Sequence, residues 1–341
     1  MNDANEPLPF AYGGPPLHAV LRATPDDFRV DEQLGYVADG DGEHVLLTVR
    51  KRGANTDWVA GQLARFAGVS TVAVGYAGLK DRHAVTTQTF SVQLPGKAEP
   101  DWSAFPHDEV QVLASARHRR KLKRGALAGN RFVLVLRNVS GDRQAAEAVL
   151  NAIAARGVPN YFGEQRFGRG GANVERAKAM FGGRRVDRKT RSMLLSAARS
   201  QLFNTVLGGR VSDDSWDSGL SGEIWSLAGS RSWFGPEPFD AALAERLARG
   251  DIHPSGPLWG RGDTPAADAA GQRERMVADS EPELVAGLVA ADMEQERRPL
   301  RLLPRDLAWR WLDGDALEVG FELPAGSYAT VVMRELAKGE E

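Results

Sequence analysis

The residues of this sequence that could do chemistry are concentrated in the segment 75–90, which reads GYAGLKDRHAVTTQTF. The segment places one carboxylate, Asp81, between the cations Lys80 and Arg82. A carboxylate that is kept ionised by a nearby cation can act as a nucleophile or as a base. Glycine and aspartate also dominate ordinary turns for conformational reasons, so local composition by itself favours a simple turn over a catalytic loop.

A second group of candidate residues is the basic run 117–124, which holds six formal cations in eight residues. Most charge runs are solvated surfaces or turns. This run contains no acidic residue, however, and phosphate binding is the favoured interpretation. The strand predicted directly after it, 129–137, places the aromatic Phe132 beside the cations, a combination that can hold an unstacked base. Phe132 could equally be a core residue.

The composition excludes several other classes of site. The 43 lysines and arginines nearly balance 45 acidic residues, so only local clusters could attract nucleic acid. The absence of cysteine excludes disulfides, thiolate metal sites and a cysteine nucleophile. Six scattered histidines predict no structural metal. No signal-like or membrane-spanning apolar run is found, so we expect a cytoplasmic protein, with a monomer as the default.

Hydrophobic patterns indicate which elements position Asp81. Strands are predicted around 19–21, 28–32 and 44–50, and a helix should begin at Asn55 and end at Gly68. Alternation in 28–32 places Phe28 and Val30 on one face and the charges on the other. Another strand is predicted at 87–92. Asp81 should therefore be displayed on a loop between two strands.

The middle of the chain has a different pattern. A helix is predicted at 143–156, and after Pro159 the segment 160–171 mixes aromatic residues, glycines and arginines, as in a loop that faces RNA. A second basic cluster lies in 184–191. Helices are predicted at 192–207, ending at Gly208 and Gly209, and at 241–249 and 282–298, with a loop at 254–265. This region is expected to be mostly helical.

Strand patterns return at 307–311 and 317–323, and Tyr328 follows on a turn before a closing helix. Strands at both ends of the chain with helices between them predict an α+β domain that is interrupted by an inserted domain. Length agrees, since 341 residues predict about two domains.

Six blocks, in the same order along the chain, resemble the TruD family of tRNA pseudouridine synthases. Residues 77–84 with Thr86 and Gln88 resemble the family signature, and 27–32 resemble its DFxVxE element. The other blocks are 129–132 (GNRF), 160–168 (NYFGEQRFG), 196–204 and 323–330. Agreement in six separate places outweighs the simple-turn interpretation of Asp81.

The resemblance implies a pseudouridine synthase fold, which is a mixed and mainly antiparallel sheet with flanking helices, carrying an inserted TRUD domain. The corresponding limits are 1–158 and 305–341 for the catalytic domain and 159–304 for the insertion. The implied reaction is isomerisation of uridine in tRNA, at position 13 of the D-arm, with no cofactor or metal.

The resemblance also implies roles for individual residues. Asp81 is the catalytic carboxylate, while Phe28, Asn130 and Tyr328 contact the target nucleotide. Phe132 occupies the place where many other pseudouridine synthases carry a tyrosine. Whether Asp81 attacks C1′ or acts as a base on the ribose is left open by the sequence.

Other families of this fold pair the aspartate with a basic residue, and Arg22 is our candidate from its position in the N-terminal strand. Neighbours of Asp81 in an extended chain point away from it, so Lys80 and Arg82 are expected to meet RNA phosphates instead. The other expected phosphate contacts are Arg119, Arg120, Lys121, Lys123, Arg124 and Arg166. The two basic clusters are predicted to line a cleft between the domains.

Two rival functions remain at this stage. A non-catalytic RNA-binding or tRNA-chaperone protein on the same fold would keep the basic clusters but need not keep Asp81. A glycosidase-like hydrolase normally uses two carboxylates that flank the bond, and no second candidate is found in the sequence.

Overall fold

The structure is a computed structural model that describes residues 8–340. The helices in this range are α1 (Thr56–Phe66), α2 (Arg143–Arg156), α3 (Ala172–Phe181), α4 (Arg188–Ser212), α5 (Ala241–Arg249), α6 (Asp268–Ser280), α7 (Pro282–Ala290) and α8 (Ala329–Leu336). The first strands are β1 (Leu17–Leu21), β2 (Phe28–Gln33), β3 (His44–Arg52), β4 (Val74–Tyr76), β5 (Val85–Gln93), β6 (Val110–His118), β7 (Gly129–Gly141) and β8 (Val158–Pro159). They are followed by β9 (Trp225–Leu227), β10 (Trp233–Phe234), β11 (Ile252–Leu258), β12 (Glu296–Pro299), β13 (Arg301–Leu302), β14 (Arg305–Leu312), β15 (Ala316–Pro324) and β16 (Ala337–Glu340). Within 8–340, no helix is both long and apolar enough to cross a membrane.

The described chain forms two compact units. The sheet unit comprises Pro16–Gln144, Pro304–Ala329 and the residues after 336, and the helical unit comprises Ala145–Leu303 with Thr330–Leu336 and residues 8–15. Helix α2 thus groups with the helical unit, in which Arg156 donates to Asp217 at 2.8 Å. The limits expected from the sequence, 1–158, 159–304 and 305–341, remain a prediction.

The sheet unit is built on a mixed sheet with the strand order β14-β15-β7-β2-β5-β3-β6. Strand β4 pairs with β5, and β1 pairs with β7 and β16. The β2–β5 and β1–β16 pairs are parallel, while the other pairs of this sheet are antiparallel. The α+β class and the mainly antiparallel sheet predicted from the sequence are confirmed.

Helix α1 covers the face of the sheet formed by β3, β4 and β5. Val59 and Leu63, one turn apart on the helix, are fully buried with Leu47, Val49 and Phe90 of the sheet. Burying a side chain of this size contributes about 1.5 to 3 kcal/mol. This core fixes the strands on either side of the β4–β5 loop, which carries Asp81.

The helical unit has its core between α3, α4 and α7. Helix α4 continues to Ser212, so the predicted end at Gly208 and Gly209 is wrong. A Cβ atom at Gly208 would lie 3.5 Å from Pro9 and 4.0 Å from the hydroxyl of Tyr161. The glycine therefore permits close packing in the middle of the helix and does not end it.

Two further expectations for the middle of the chain are wrong because tertiary pairing overrides local pattern. The predicted loop at 254–265 begins inside strand β11, which pairs with β9 at its start and with β12 at its end. The helix predicted at 282–298 ends at Ala290, and Asp292, two residues later, adopts a left-handed φ of 63°. The last residues of the predicted range belong to β12 instead. The unit therefore combines its helices with the four-stranded sheet β10-β9-β11-β12.

Candidate active site

Asp81 lies on the loop between β4 and β5 and forms an ion pair with Arg22. The Nη1 atom of Arg22 donates to Oδ2 of Asp81 at 2.8 Å, and the backbone N–H of His83 donates to Oδ1 at 3.0 Å. The two charged side chains are 32% and 34% exposed. Each carboxylate oxygen therefore has one donor, and the group remains open to solvent.

Strand register explains why these distant residues meet. Along one side of β7, Leu134 pairs with Phe28 of β2 and Leu136 pairs with Leu21 of β1, so the end of β1 lies beside the start of β2. Strand β5 begins next to the start of β2, because Val85 pairs in parallel with Arg29. Arg22 follows β1 and Asp81 precedes β5, so both reach the same place on the sheet.

Arg22 is held in an unusual backbone conformation. Its φ of 59° lies in the left-handed region, which costs a non-glycine residue roughly 1 to 2 kcal/mol. The guanidinium stacks over the ring of Phe28, with Cζ 4.0 Å from the ring centroid. The cation–π contact and the ion pair with Asp81 together fix the side chain and offset the backbone cost.

An aromatic floor continues from Phe28 across the sheet. Phe28 and Phe132 are 4% and 6% exposed, with ring centroids 6.3 Å apart, and Phe321 lies 5.6 Å beyond Phe132. Tyr328 is exposed, on the turn after β15, where Pro324 pairs with Gly129. The register therefore brings this turn to the end of β7 at which Asn130 lies.

Lys80 does not occupy the exposed position expected of a phosphate contact. Its ammonium lies 3.0 Å from Oε2 of Glu32 and donates to Oδ1 of Asn130 at 2.8 Å. The side chains of Lys80 and Glu32 are 8% and 0% exposed. The Lys80 side chain is buried, so we do not retain it as a phosphate contact. Arg82 remains exposed.

Glu32 was missed by the sequence interpretation, although a signal was present. The alternation in β2 was taken to place the charges opposite Phe28 and Val30, yet Glu32 has the same parity as these two residues and lies on their face. A buried charge next to apolar neighbours needs a partner, and Lys80 supplies it.

Lys51 is a second buried cation that sequence reasoning missed. It shares the parity of Leu47 and Val49 in β3 and is fully buried. Its ammonium donates to the backbone carbonyls of Ala54 at 2.7 Å and Asp81 at 3.0 Å. Burial lowers the pKa of Lys51 to about 8. The lysine ties the loop that carries Asp81 to the sheet.

Residues of helix α1 and strand β5 hold the same loop from its other side. The hydroxyl of Thr56 accepts the backbone N–H of Lys80 at 3.0 Å and donates to the side-chain oxygen of Gln88 at 3.0 Å. Gln88 in turn donates to the carbonyl of Gly78 at 3.4 Å. Backbone anchors on both sides of Asp81 make the carboxylate a fixed feature of the fold.

The basic run 117–124 is partly neutralised by carboxylates from elsewhere in the sheet unit. Arg119 donates two hydrogen bonds to the carboxylate of Asp41, and its guanidinium holds the pKa of Asp41 below the ordinary value. Arg117 lies 3.4 Å from Glu99. Within residues 8–340, no carboxylate forms an ion pair with the four remaining cations of the run, which are Arg120, Lys121, Lys123 and Arg124.

The run is attached to the rest of the sheet unit through Leu122 and through two of its own cations. Leu122 is buried, and its N–H donates to Ser91 at 2.9 Å. Lys121 donates to the carbonyl of Val72 at 2.5 Å, and Arg124 lies over the ring of Tyr76. The remaining positive charge is thus displayed on ordered backbone.

In the helical unit, Arg166 lies near the second basic cluster. An open depression of about 620 Å³ is lined by Arg166 and by the α4 residues Arg188, Lys189, Ser192, Met193 and Ser196. The preceding aromatic residues Tyr161 and Phe162 are buried and do not face outward as expected for an RNA-facing loop. Asn204 holds them by bonding both the N–H and the C=O of Phe162 at 2.9 Å.

Both buried or half-buried carboxylates of the site are engaged by cations, Asp81 by Arg22 and Glu32 by Lys80. In the part of the chain that the structure describes, no three histidine or acidic side chains lie close enough together to hold a metal ion.

Comparison with known proteins places this chain in a family. The family model described as tRNA pseudouridine synthase D (TruD) matches residues 8–176 and 172–336. A tRNA pseudouridine synthase D from Xanthomonas euvesicatoria pv. vesicatoria (strain 85-10) is 58% identical over 96% of this chain and 94% of its own, and one from Methylococcus capsulatus is 50% identical over 97% and 94%. A solved structure described as a tRNA pseudouridine synthase D from Methanosarcina mazei has the same fold, with a TM-score of 0.78 at 21% identity over 96% of this chain and 95% of that one. The chain therefore belongs to the TruD family of tRNA pseudouridine synthases.

Proposed function

We propose that this protein converts uridine to pseudouridine in tRNA, at uridine 13 of the D-arm, and that Asp81 is the catalytic carboxylate. The observation that carries the proposal is the ion pair of Asp81 with Arg22 at 2.8 Å, on a fixed loop beside the aromatic floor of Phe28 and Phe132. The relatives' shared name, tRNA pseudouridine synthase D, supports the reaction and its RNA substrate.

The reaction exchanges one glycosidic bond for another. The bond from uracil N1 to C1′ breaks, the uracil turns while it is still bound, and C5 bonds to C1′. The proton on C5 leaves to solvent and N1 gains a proton, so the product has the same formula as the substrate. The balance needs no oxidant, reductant or group donor.

A uridine within folded RNA must leave its stack before a side chain can reach its ribose. In this proposal Tyr328, exposed on its turn, stacks on the flipped base, while Phe28 and Phe132 form the apolar floor beneath it. Asp81 then meets the sugar, either as the nucleophile at C1′ or as a base on the ribose. Arg22 orients the carboxylate and places an opposite charge beside it for either role.

Positioning of the RNA is assigned to Arg82 and to the four remaining cations of the basic run, with which no carboxylate forms an ion pair within residues 8–340. In the helical unit it is assigned to Arg166 with its neighbours on α4. Arg119 contributes less because Asp41 occupies its guanidinium. Such contacts orient the RNA without reading its sequence and weaken with salt.

The test is incubation of the protein with a tRNA transcript labelled with tritium at uracil C5. Tritium release with the base retained in the polymer supports the proposal, and sequencing of the modified position tests uridine 13. Release of free uracil would identify a hydrolase, and binding without reaction would identify an RNA-binding or tRNA-chaperone protein.

Asp81→Asn provides the matched variant, since it keeps the size and shape of the side chain while removing the charge; its single oxygen can accept from either Arg22 or the N–H of His83, but not from both. We expect turnover to be abolished and tRNA binding to be retained. Turnover that survives this change would refute the assignment of Asp81. A cytoplasmic location, a monomeric state, the domain limits and a cleft lined by both basic clusters remain predictions from the sequence.

A further inference from the structure

Lys80, Glu32 and Asn130 form a buried polar group under the catalytic loop. The Lys80 ammonium is 2.8 Å from Oδ1 of Asn130 and 3.0 Å from Oε2 of Glu32. The side chains of Lys80 and Glu32 and the residue Asn130 are all at least nine-tenths buried. Lys80 and Glu32 are therefore withdrawn from RNA phosphates, and their effect on a substrate must pass through Asn130.

The contact with Lys80 fixes which way the Asn130 amide faces. An ammonium can only donate hydrogen bonds, so the atom that faces it must be the carbonyl oxygen of the amide. The Nδ2 group, with its two N–H donors, is turned away from Lys80. Among residues 8–340, Nδ2 donates to no partner. Asn130 can thus offer donors to a ligand, and its acceptor is already committed.

Asn130 lies on the face of the sheet that carries the rest of the site. Glu32 and Asn130 are cross-strand neighbours, and the next pair on this face along β2 and β7 is Val30 with Phe132. Phe28, which stacks under Arg22, follows on the same face of β2. The donors of Asn130 therefore belong to the aromatic floor on which a flipped base would rest.

We propose that the Glu32–Lys80 pair is a positioning device that holds the Asn130 amide as a hydrogen-bond donor toward the target base, so that the site accepts uracil and disfavours cytosine. This inference rests on the proposed function. Uracil carries carbonyl acceptors at positions 2 and 4, whereas cytosine carries an amine donor at position 4. An amide locked as a donor matches a carbonyl and opposes an amine.

The cost of the pair supports a role beyond packing. A buried ion pair is seldom more stabilising than apolar residues of the same volume, because both charges lose their hydration. Burial raises the pKa of Glu32, and the Lys80 ammonium opposes that rise. Glu32 gives the buried ammonium a counter-charge at 3.0 Å.

The first test is Asn130→Asp. The substitution keeps the shape of the side chain and leaves an oxygen for Lys80, but it replaces the two free N–H donors with an acceptor. We expect kcat/KM for the uridine transcript to fall by roughly 5- to 100-fold, the range of one base-reading contact. The pH dependence of kcat should not change if the effect is on base recognition and not on Asp81. Wild-type kcat/KM in this variant would overturn the inference.

The second test is the paired change Glu32→Leu with Lys80→Met, which removes both buried charges together. Transcripts with uridine, 2-thiouridine or 4-thiouridine at the target position are compared in single-turnover reactions, since sulfur accepts hydrogen bonds poorly. In the wild type, 4-thiouridine should slow the reaction about fivefold or more relative to uridine, while 2-thiouridine is the comparison, because position 2 is a carbonyl in cytosine as well. In the paired variant, the ratio of the rate with uridine to the rate with 4-thiouridine should fall toward one.

If the Glu32–Lys80 pair only stabilises the fold, its removal gives a different result. The paired variant would then slow all three transcripts by the same factor and keep the wild-type ratio between them, which would overturn the inference. Lys178→Met is the matched control, because Lys178 forms a lysine–glutamate pair of 3.1 Å with Glu281 in the helical unit. No pseudouridine from the wild type would overturn the proposed function itself, whereas wild-type turnover with no thio effect would overturn this inference alone.

Discussion

Removing the charge of Arg22 should slow the chemical step while leaving tRNA binding nearly unchanged. Arg22 and Asp81 contact each other at 2.8 Å, so their charges are centred about 4 Å apart. Two unit charges at that distance attract by about 1 kcal/mol in a water-like medium and about 4 kcal/mol at an effective dielectric constant of 20. The pair is about one third exposed, so solvent screening leaves about 1 kcal/mol, which corresponds to a roughly fivefold lower kcat.

The variants are Arg22→Met and Arg22→Lys. Both place a non-glycine side chain at the same left-handed φ of 59°, so the backbone cost cancels in their comparison. Arg22→Met should show the full loss of kcat, and Arg22→Lys should recover part of it because it keeps a cation near Asp81. Loss of a half-exposed ion pair costs only about 0.2 to 1 kcal/mol of stability, so both variants should fold.

The assay is tritium release from tRNA labelled at uracil C5, measured in single-turnover reactions over a range of enzyme concentrations. Arg310→Met is the control, since Arg310 forms an exposed 2.8 Å ion pair with Glu318 in the same unit. An Arg22→Met variant with unchanged kcat would refute the reasoning. A loss confined to KM would also refute it, because Arg22 would then act in binding and not through Asp81.

Three further predictions concern RNA binding and stability. Changing three cations of the basic run together to glutamine should raise KM for tRNA, make KM depend less steeply on salt and leave kcat unchanged; the three are Lys121, Lys123 and Arg124. An unchanged dependence of KM on salt would contradict this prediction. Gly75→Ala should lower the free energy of unfolding by roughly 1 to 3 kcal/mol in urea titrations, since a Cβ would lie 2.3 Å from the carbonyl oxygen of Leu122. Gly61→Ala, in open space within α1, should not be destabilising. The pKa of Lys51 is lowered to about 8, so the unfolded chain binds more protons above that pH, and the free energy of unfolding should rise by up to about 3 kcal/mol between pH 8 and 10.5. Lys51→Met should lack this rise, and equal pH dependence in both proteins would show that the lysine does not titrate as expected.

Elements whose signals are local were predictable from the sequence. Helix α1 begins after Asn55, and β14 and β15 follow the alternation read at 307–311 and 317–323. A helix cap, a residue that ends a helix and the alternation of a strand all depend on neighbouring residues, so they can be recognised in the sequence itself. The course of α4 through Gly208 and the pairing of β11 with β9 and β12 depend on distant partners, and local patterns misjudged both.

The same division holds for the candidate site. Motif blocks in the sequence identified the family and singled out Asp81, and chain position suggested Arg22 as its partner. The 2.8 Å contact between them depends on the pairing of both β1 and β2 along β7, which only the folded sheet establishes.

The burial of Lys80 also could be seen only in the tertiary structure. Sequence parity places Glu32 on the face of Phe28 and Val30, but it does not reveal that the Glu32 side chain is buried there, or that a lysine from a loop about 50 residues later supplies the counter-charge. Residue type and spacing thus determined which groups are present and which face of a strand they share. Burial and partnership depend on chain segments far apart in sequence, so only the three-dimensional fold decided whether each charge meets solvent, RNA or another side chain.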